Sequence, residues 1–196
     1  MRGCRGFTLI EVIVVAAIIA ILAGILVPVI FNQVDEARIT RAQAECKTIS
    51  SAILMFRKET GKWPYLMPDD PACAAYYTTI QTAGVPESNP TDNTTGAWGV
   101  NVDEVTFGLI LNLPGTPAIT QPCYNNKAGT YLMEDKPDPW GHKYIVNAAN
   151  FADAVKPVWI VSAGSNGCLD TSVNSQTLND SPCVAGPGDD VGIRIK

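Results

Sequence analysis

The hydrophobic pattern of the first fifth of the chain predicts a membrane span. Residues 12–34 contain no charged side chain, and a helix of this length crosses a bilayer. Glu11 stands just before this run, where it either reaches water near the lipid headgroups or has a partner in the apolar surroundings. Arg2 and Arg5 precede the run without an apolar stretch of their own, so we do not expect a cleaved secretory signal peptide. The positive-inside tendency predicts a single span with a cytoplasmic N-terminus.

Beyond the span, apolar residues recur at spacings of three and four, which indicates an amphipathic helix. The members of this stripe are Ile39, Ala42, Cys46, Ile49, Ile53 and Phe56. Gly61 and Pro64 are expected to end the helix, which runs from about residue 7 to 60 in this interpretation. The stripe either docks the chain's own globular domain or forms a coiled coil between chains. We favour docking, because the stripe is short for a self-sufficient coiled coil.

Gly24 and Pro28 mark the weakest point of this long helix. Proline lacks an N–H, and its ring crowds the carbonyl four residues earlier, which here belongs to Gly24. Glycine is itself a poor helix former. We therefore predict a helix break or bend at Gly24 and Pro28, with a simple kink of the kind that membrane helices tolerate as the alternative.

The remainder of the chain predicts an α+β fold. Repeated prolines and the polar run ESNPTDNTTG indicate loops after the helix, and the short apolar run VTFGLILNLP is expected to pack a loop onto the core. Three later stretches predict strands: HKYIVNA from His142, VWIVSA from Val158 and VGIRI from Val191. Together they predict a long N-terminal helix, half membrane span and half amphipathic, packed on a small antiparallel β-sheet.

Composition argues against several classes of function. The formal net charge of -5 does not suit a nucleic-acid surface. His142 is the only imidazole, and we expect it to be an exposed residue at a strand entry rather than a catalytic base. No nucleophile with an oriented partner and no CxxC metal motif is recognisable. We therefore do not expect an enzyme.

The predicted orientation places the cysteines that follow the span in an oxidising compartment. Five cysteines follow the span, and their spacing leaves the connectivity open: Cys46, Cys73, Cys123, Cys168 and Cys183. We expect a bridge between Cys168 and Cys183, because these two bracket a polar stretch without periodicity. Cys73 with Cys123 is the second expected bridge. This leaves Cys46 as a free thiol, buried on the stripe as a small hydrophobe.

The stretch RGFTLIEV resembles the N-terminal signature of type IV prepilins and type II secretion pseudopilins, in which a short basic leader ends in glycine and is followed by phenylalanine and then glutamate. The resemblance implies cleavage by a prepilin peptidase between Gly6 and Phe7, N-methylation of Phe7, and polymerisation into a homo-oligomeric helical filament. It divides the chain into a leader (1–6), a transmembrane and filament-core helix (7–34), and a pilin head (35–196) that includes the amphipathic helix half (35–60).

The same resemblance implies a role for Glu11. Cleavage creates an ammonium group at Phe7, and Glu11 could neutralise that of a neighbouring subunit, which would set the axial register of the filament. Four helical residues rise only about 6 Å, so its own amine is the alternative partner. The other implied partners are minor pseudopilins or pilins, an inner-membrane platform protein and an assembly ATPase. The implied location is the bacterial inner membrane, with a periplasmic or extracellular head.

Three further motifs, GKWP, DPWGHKY and SAGSNG followed by DDV, resemble the major pseudopilins of type II secretion. Residues 66–135 and 169–187 have no such match. We therefore expect a structural subunit of a secretion pseudopilus, with a type IV pilus subunit for adhesion or motility as the alternative.

The resemblance also implies a calcium site in the terminal loop, formed here by Ala163, Asn166, Asp189 and Asp190. Asn166 departs from the family by replacing a carboxylate with an amide, so we expect a weaker site. Calcium takes six to eight oxygen ligands. The alternative is that Asp189 and Asp190 form an ordinary polar turn after the sequence GPG.

Overall fold

The computed structural model describes residues 7–66, 74, 76–83, 98, 102–103, 124, 131–132, 134–181, 183 and 187–196. The chain divides into two compact units, Met1–Arg38 and Ile39–Lys196. Its elements are helix α1 (Leu9–Thr60), strands β1 (Thr79–Gln81), β2 (Val102–Asp103) and β3 (Tyr144–Val146), a 3₁₀ helix (Ala148–Ala152), and strands β4 (Trp159–Ser162) and β5 (Val191–Arg194).

The described part of the first unit is the N-terminal part of α1, and it is exposed throughout. Every residue from Phe7 to Arg38 is accessible to solvent in the single chain, the large apolar side chains included. Within the described residues, α1 is the one helix that is long and apolar enough to cross a membrane. The predicted span therefore coincides with the N-terminal part of α1, whose apolar side chains are exposed in the single chain.

Helix α1 runs through Gly24 and Pro28 without interruption in the single chain, so no break is present there, and the predicted bend stays a prediction. Proline removes one backbone hydrogen bond from a helix of 52 residues. The space around Gly24 is open, with nothing within 4 Å of the position that a Cβ would take. A single missing hydrogen bond in such surroundings is tolerated, as in other membrane helices.

In the second unit, the C-terminal part of α1 packs by its apolar stripe. Ala42, Cys46, Ile49, Ile53 and Phe56 are all buried, as the 3-and-4 spacing predicts. The prediction was wrong for Ile39, which is 41% exposed, because burial along the stripe begins one turn later at Ala42. The helix ends at Thr60.

Gly61 terminates the helix as predicted. It adopts a left-handed conformation, with φ of 74°, and its N–H donates to the Arg57 carbonyl. Glycine takes this conformation without steric cost, which is why it commonly follows the last helical residue.

The five strands form one sheet in the order β2-β1-β3-β4-β5. The pairs β1–β3, β3–β4 and β4–β5 are antiparallel, and all three predicted strands are present. The sheet differs from the prediction at one edge, where β1 pairs in parallel with β2 over two residue pairs. The sequence did not predict β1 and β2, since both are very short. The fold is α+β and pilin-like, as predicted.

Strand β4 carries the core on both of its faces. Val158 and Ile160 pack with the α1 residues Cys46, Ile49 and Ile53 in one cluster. Trp159 and Val161 belong to a second cluster, which includes Trp98, Ile145 and Leu169. The run of apolar residues without alternation is thus explained by a strand that is covered on both faces.

Candidate functional site

The N-terminal end of α1 is closed by a capping box. The side chain of Glu11 accepts hydrogen bonds from the backbone N–H of Thr8 at 2.8 Å and from the Thr8 hydroxyl at 2.7 Å. The Glu11 N–H in turn lies 3.4 Å from the Thr8 hydroxyl oxygen. This reciprocal arrangement satisfies N–H groups that every helix leaves unpaired at its start.

The capping box adds a second role for Glu11 that the sequence interpretation missed, although the spacing Thr-x-x-Glu was its signal. In the single chain, the carboxylate is held by its own helix end. If Glu11 pairs with the amine of a neighbouring subunit, the amine would either displace these hydrogen bonds or bind the carboxylate together with them. Gly6, the other half of the predicted cleavage site, lies outside the described residues, whereas Phe7 is fully exposed at the helix start.

The second candidate region is the C-terminal loop system, which begins at the DPWG turn. The Gly141 N–H donates to the Asp138 carbonyl at 3.0 Å, and Gly141 has a φ of 97°. The Asp138 side chain accepts hydrogen bonds from the backbone of Trp140 and His142 and from the hydroxyl of Ser162, at the end of β4. Asp138 thereby ties the turn to the start of the loop that follows β4.

Asp189 fastens the next part of the loop. One oxygen of its carboxylate accepts hydrogen bonds from the Ser165 N–H, the Ser165 hydroxyl and the Asn166 N–H, at 2.6 to 3.1 Å. Gly164 has a φ of 64°, and a Cβ at this position would come within 2.3 Å of the Asp189 carbonyl oxygen. The turn after β4 and the segment before β5 therefore touch at Gly164, and only glycine fits there.

Asp190 is the more deeply buried of the two predicted calcium ligands that carry a charge, Asp189 and Asp190. It is 5% exposed, and one of its carboxylate oxygens accepts from the Asp170 N–H at 3.0 Å. The other oxygen is buried without a hydrogen-bond partner, as is one oxygen of Asp189. Burial raises the pKa of the Asp190 carboxyl to about 7, and the charges of Asp170 and Asp189 add to this effect.

Asp170 is the residue of this region that the sequence interpretation missed. Its carboxylate accepts hydrogen bonds from the Cys183 N–H at 2.6 Å, the Asn166 side-chain amide at 3.0 Å and the Asp189 N–H at 3.1 Å. It lies in a polar stretch without periodicity, and its partners are up to 19 residues away. No local signal in the sequence distinguishes it from the other polar residues there.

The Cys168–Cys183 disulfide is confirmed and closes a loop of 15 residues around Asp170. Cys46 is free and buried, as predicted. Cys73 and Cys123 lie outside the described residues, so their bridge stays a prediction. The expected exposure of His142 was wrong: the residue is half-buried, and a Cβ on Gly167 would come within 2.7 Å of its ring. The loop after β4 folds back over the ring, which the sequence around His142 does not reveal.

The donor chemistry of the loop fits a calcium ion in part. Two buried carboxylate oxygens without partners, on Asp189 and Asp190, are the hard ligands that calcium prefers. The side-chain oxygen of Asn166 already accepts a hydrogen bond from the Cys168 N–H at 2.6 Å. Ala163, three residues earlier in the chain, is fully buried. Within the described parts of the chain, no three Asp, Glu, His or Cys side chains converge on a metal position. A cation here would therefore depend on backbone carbonyls.

Comparisons with known proteins agree with the N-terminal signature. Residues 1–27 match the family model described as the prokaryotic N-terminal methylation motif. Over 63 residues the chain is 38% identical to the type II secretion system core protein G of Pseudomonas aeruginosa. This match covers 32% of the chain and 44% of that relative, which is less than half of its length. No solved structure matches the chain.

These matches concern the end of the chain at which the capping box and the exposed apolar helix lie. The N-terminal segment of this chain carries the methylation motif of type IV pilins and pseudopilins, and the chain is similar in this region to a type II secretion core protein G.

Proposed function

We propose that this chain is a structural subunit of a type IV pilus-like filament and serves as the major pseudopilin of a type II secretion system. The observation that carries the proposal is the methylation motif at residues 1–27, which overlaps the start of helix α1, whose residues 9–38 are all exposed in the single chain. Such an apolar surface requires a lipid or protein environment, because exposing it to water is costly. A bilayer before assembly and a bundle of like helices afterwards would supply it.

In this proposal the precursor resides in the bacterial inner membrane with its N-terminus in the cytoplasm. A prepilin peptidase cleaves between Gly6 and Phe7, and Phe7 is methylated. A platform protein and an assembly ATPase then move the helix into the filament, together with minor pseudopilins. The chain acts as a building block, and no catalytic role is assigned to it.

Processing is the first test. We expect mass spectrometry of the membrane fraction to find a mature chain that begins at methylated Phe7. Gly6→Val should block cleavage, and Gly6→Ala should weaken it, because a larger side chain would not fit the peptidase pocket. Gly3→Val is the matched control, since it changes a leader glycine away from the cleaved bond. A mature N-terminus at any other residue would contradict the proposal.

The second test separates secretion from a surface pilus. Deleting the gene in its own host should abolish secretion of proteins across the outer membrane, and complementation with the intact chain should restore it. Normal secretion together with the loss of long surface fibres would instead favour the type IV pilus subunit.

The proposal includes a calcium ion in the C-terminal loop. The unpartnered buried oxygens of Asp189 and Asp190 support it, with the Ala163 carbonyl and Asn166 as the remaining ligands. Calcium would supply a positive charge to two adjacent carboxylates that each have one buried oxygen without a partner. Extracellular sites of this kind bind at about 0.1 to 1 mM.

Thermal melting of the detergent-solubilised mature chain tests the calcium site. We expect a higher melting temperature in millimolar calcium than in chelator, and no effect of magnesium. A tenfold excess over the dissociation constant adds about 1.4 kcal/mol. Asp189→Ala and Asp190→Ala should each remove the difference, whereas Asp180→Ala, in an exposed part of the same loop system, should retain it. Superimposed curves for the intact chain would exclude the site.

A further inference from the structure

We infer that Asp170 is a positioning residue of the calcium site, which holds Asn166 and the Asp189 backbone in place and supplies the negative charge that the amide at position 166 lacks. The inference rests on the calcium site proposed above. It concerns a residue that lies outside the ligand set implied by the family resemblance.

The contacts of Asp170 reach almost every part of the site. One carboxylate oxygen accepts from both the Asn166 amide and the Asp189 N–H, at 3.0 and 3.1 Å. The backbone N–H of Asp170 donates to the Asp190 carboxylate at 3.0 Å. A single residue thus contacts three of the four predicted ligands.

The pairing of Asn166 with Asp170 explains why an amide is present at position 166. A carboxylate there would place two negative oxygens about 3 Å apart, which is unfavourable because one of them belongs to the buried Asp170. The amide donates a hydrogen bond to Asp170 instead. The negative charge next to Asn166 is therefore carried by Asp170, four residues along the chain.

Asp190 gives independent evidence that the cluster faces a ligand. It is 5% exposed, yet one of its oxygens has no hydrogen-bond partner. Buried polar atoms are almost always paired, so an unpaired carboxylate oxygen indicates a missing partner. The nearby carboxylates of Asp170 and Asp189 make a cation the partner that suits it.

Asp170 acts through its neighbours, because both of its oxygens are already engaged. The second oxygen accepts from the Cys183 N–H at 2.6 Å, next to the disulfide. The side chain is 1% exposed, so these hydrogen bonds are shielded from water. Residues that orient metal ligands typically change metal affinity about 10- to 100-fold when they are replaced.

Calcium titration of the detergent-solubilised mature chain by calorimetry tests the inference. We expect Asp170→Asn to weaken calcium binding by about tenfold or more, whereas Asp180→Asn, the matched control in the same loop, should bind as the intact chain does. The double variant Asn166→Asp with Asp170→Asn returns the charge to position 166. It should recover most of the lost affinity while its melting temperature in chelator stays low, because an asparagine at 170 cannot accept all three N–H groups.

A second variant covers the case in which Asp170→Asn does not fold. Asn166→Asp alone places a carboxylate against Asp170, so it should lower the melting temperature in chelator and enlarge the stabilisation by calcium. Intact affinity in Asp170→Asn, no recovery in the double variant, or an unchanged calcium effect in Asn166→Asp would overturn the inference and leave the calcium site standing. If the intact chain itself gives no calcium binding, the site is excluded and the inference is overturned with it, whereas the filament proposal is unaffected.

Discussion

The two parts of helix α1 differ in where their burial partners lie. Residues 12–34 carry no charge, and they are exposed throughout the single chain, as is the whole segment 7–38. Residues 42–56 are apolar along one stripe, which is buried within the second compact unit. One continuous helix therefore joins two segments. The apolar stripe of one is buried by this chain's own residues, whereas the apolar surface of the other needs another molecule to cover it.

The difference separates folding from assembly. Burying apolar surface contributes about 25 cal/mol per Å², and for the stripe this contribution is made when the chain folds. For the N-terminal segment it can be made only in a membrane or a bundle of helices. We therefore expect substitutions in the two segments to affect different measurements.

The largest effect is expected from Glu11→Ala, which should abolish filament assembly while the melting temperature of the head stays unchanged. The variant removes the carboxylate proposed to pair with a neighbouring Phe7 amine, far along the chain from the buried stripe. Filament yield after shearing or cross-linking measures the first property, and thermal melting measures the second. Filaments of normal yield and register would show that the carboxylate is not required.

Glu11→Gln distinguishes the two roles of this residue. Its side-chain carbonyl oxygen can still accept the hydrogen bonds from Thr8, so the cap is retained, but the charge is lost. If the charge pair governs assembly, this variant should be as defective as Glu11→Ala. Near-normal assembly would instead make capping the main role.

Ile53→Ala, in the other part of the helix, should instead lower the melting temperature of the head. Ile53 is fully buried, and truncating such a residue costs about 2–5 kcal/mol. The matched control is Leu54→Ala at the next position, where the side chain is 47% exposed and the expected loss is much smaller. Thermal melting of both variants checks the prediction, and similar losses would contradict the burial pattern.

Replacing the disulfide should cause a comparable loss of stability, which is confined to the C-terminal loop system. The bridge closes a loop of 15 residues, which is worth about 3 kcal/mol in the chain-entropy model. We expect Cys168→Ser with Cys183→Ser to lower the melting temperature and to weaken calcium binding, because the loop around Asp170 is no longer held closed. Unchanged stability would show that the hydrogen bonds of Asp170 suffice.

The parts of the structure that could be predicted are those with a periodic or local signal. The 3-and-4 spacing located the buried residues from Ala42 to Phe56, and the apolar run from Val158 indicated the strand β4. Strand β1 was missed because it is three residues long and contains Thr79 and Gln81, which are polar yet buried. Their burial results from the neighbouring strands.

The candidate site was predictable only in part for the same reason. Asp189 and Asp190 were identified through a family motif, and Cys168 and Cys183 through the polar stretch between them. Asp170 and Asn179 could not be identified, because most of their partners lie 8 to 20 positions away in the chain. The side chain of Asn179, for example, accepts from the Asp190 N–H at 2.9 Å.

The smallest effect is expected for Cys46, whose thiol should resist alkylation in the folded chain. Burial raises its pKa to about 12, and the nearby charges of Glu45 and Asp138 add to this effect. At pH 8 the reactive thiolate is therefore nearly absent. Peptide mapping after treatment with iodoacetamide should find Cys46 unmodified until the chain unfolds, and faster labelling in Ile53→Ala. Rapid labelling of the intact chain, or a bridge from Cys46, would contradict its position in the core.

Photo-cross-linking from the N-terminal segment tests most directly whether its missing partner is another copy of this chain. A photoreactive amino acid at Ile18, which is exposed in the single chain, would be activated in cells with an intact assembly system. We predict covalent dimers and higher oligomers of the chain, which disappear when Glu11→Ala is introduced into the same molecule. Adducts to lipid alone, with no link between two copies in cells that assemble filaments, would contradict the account.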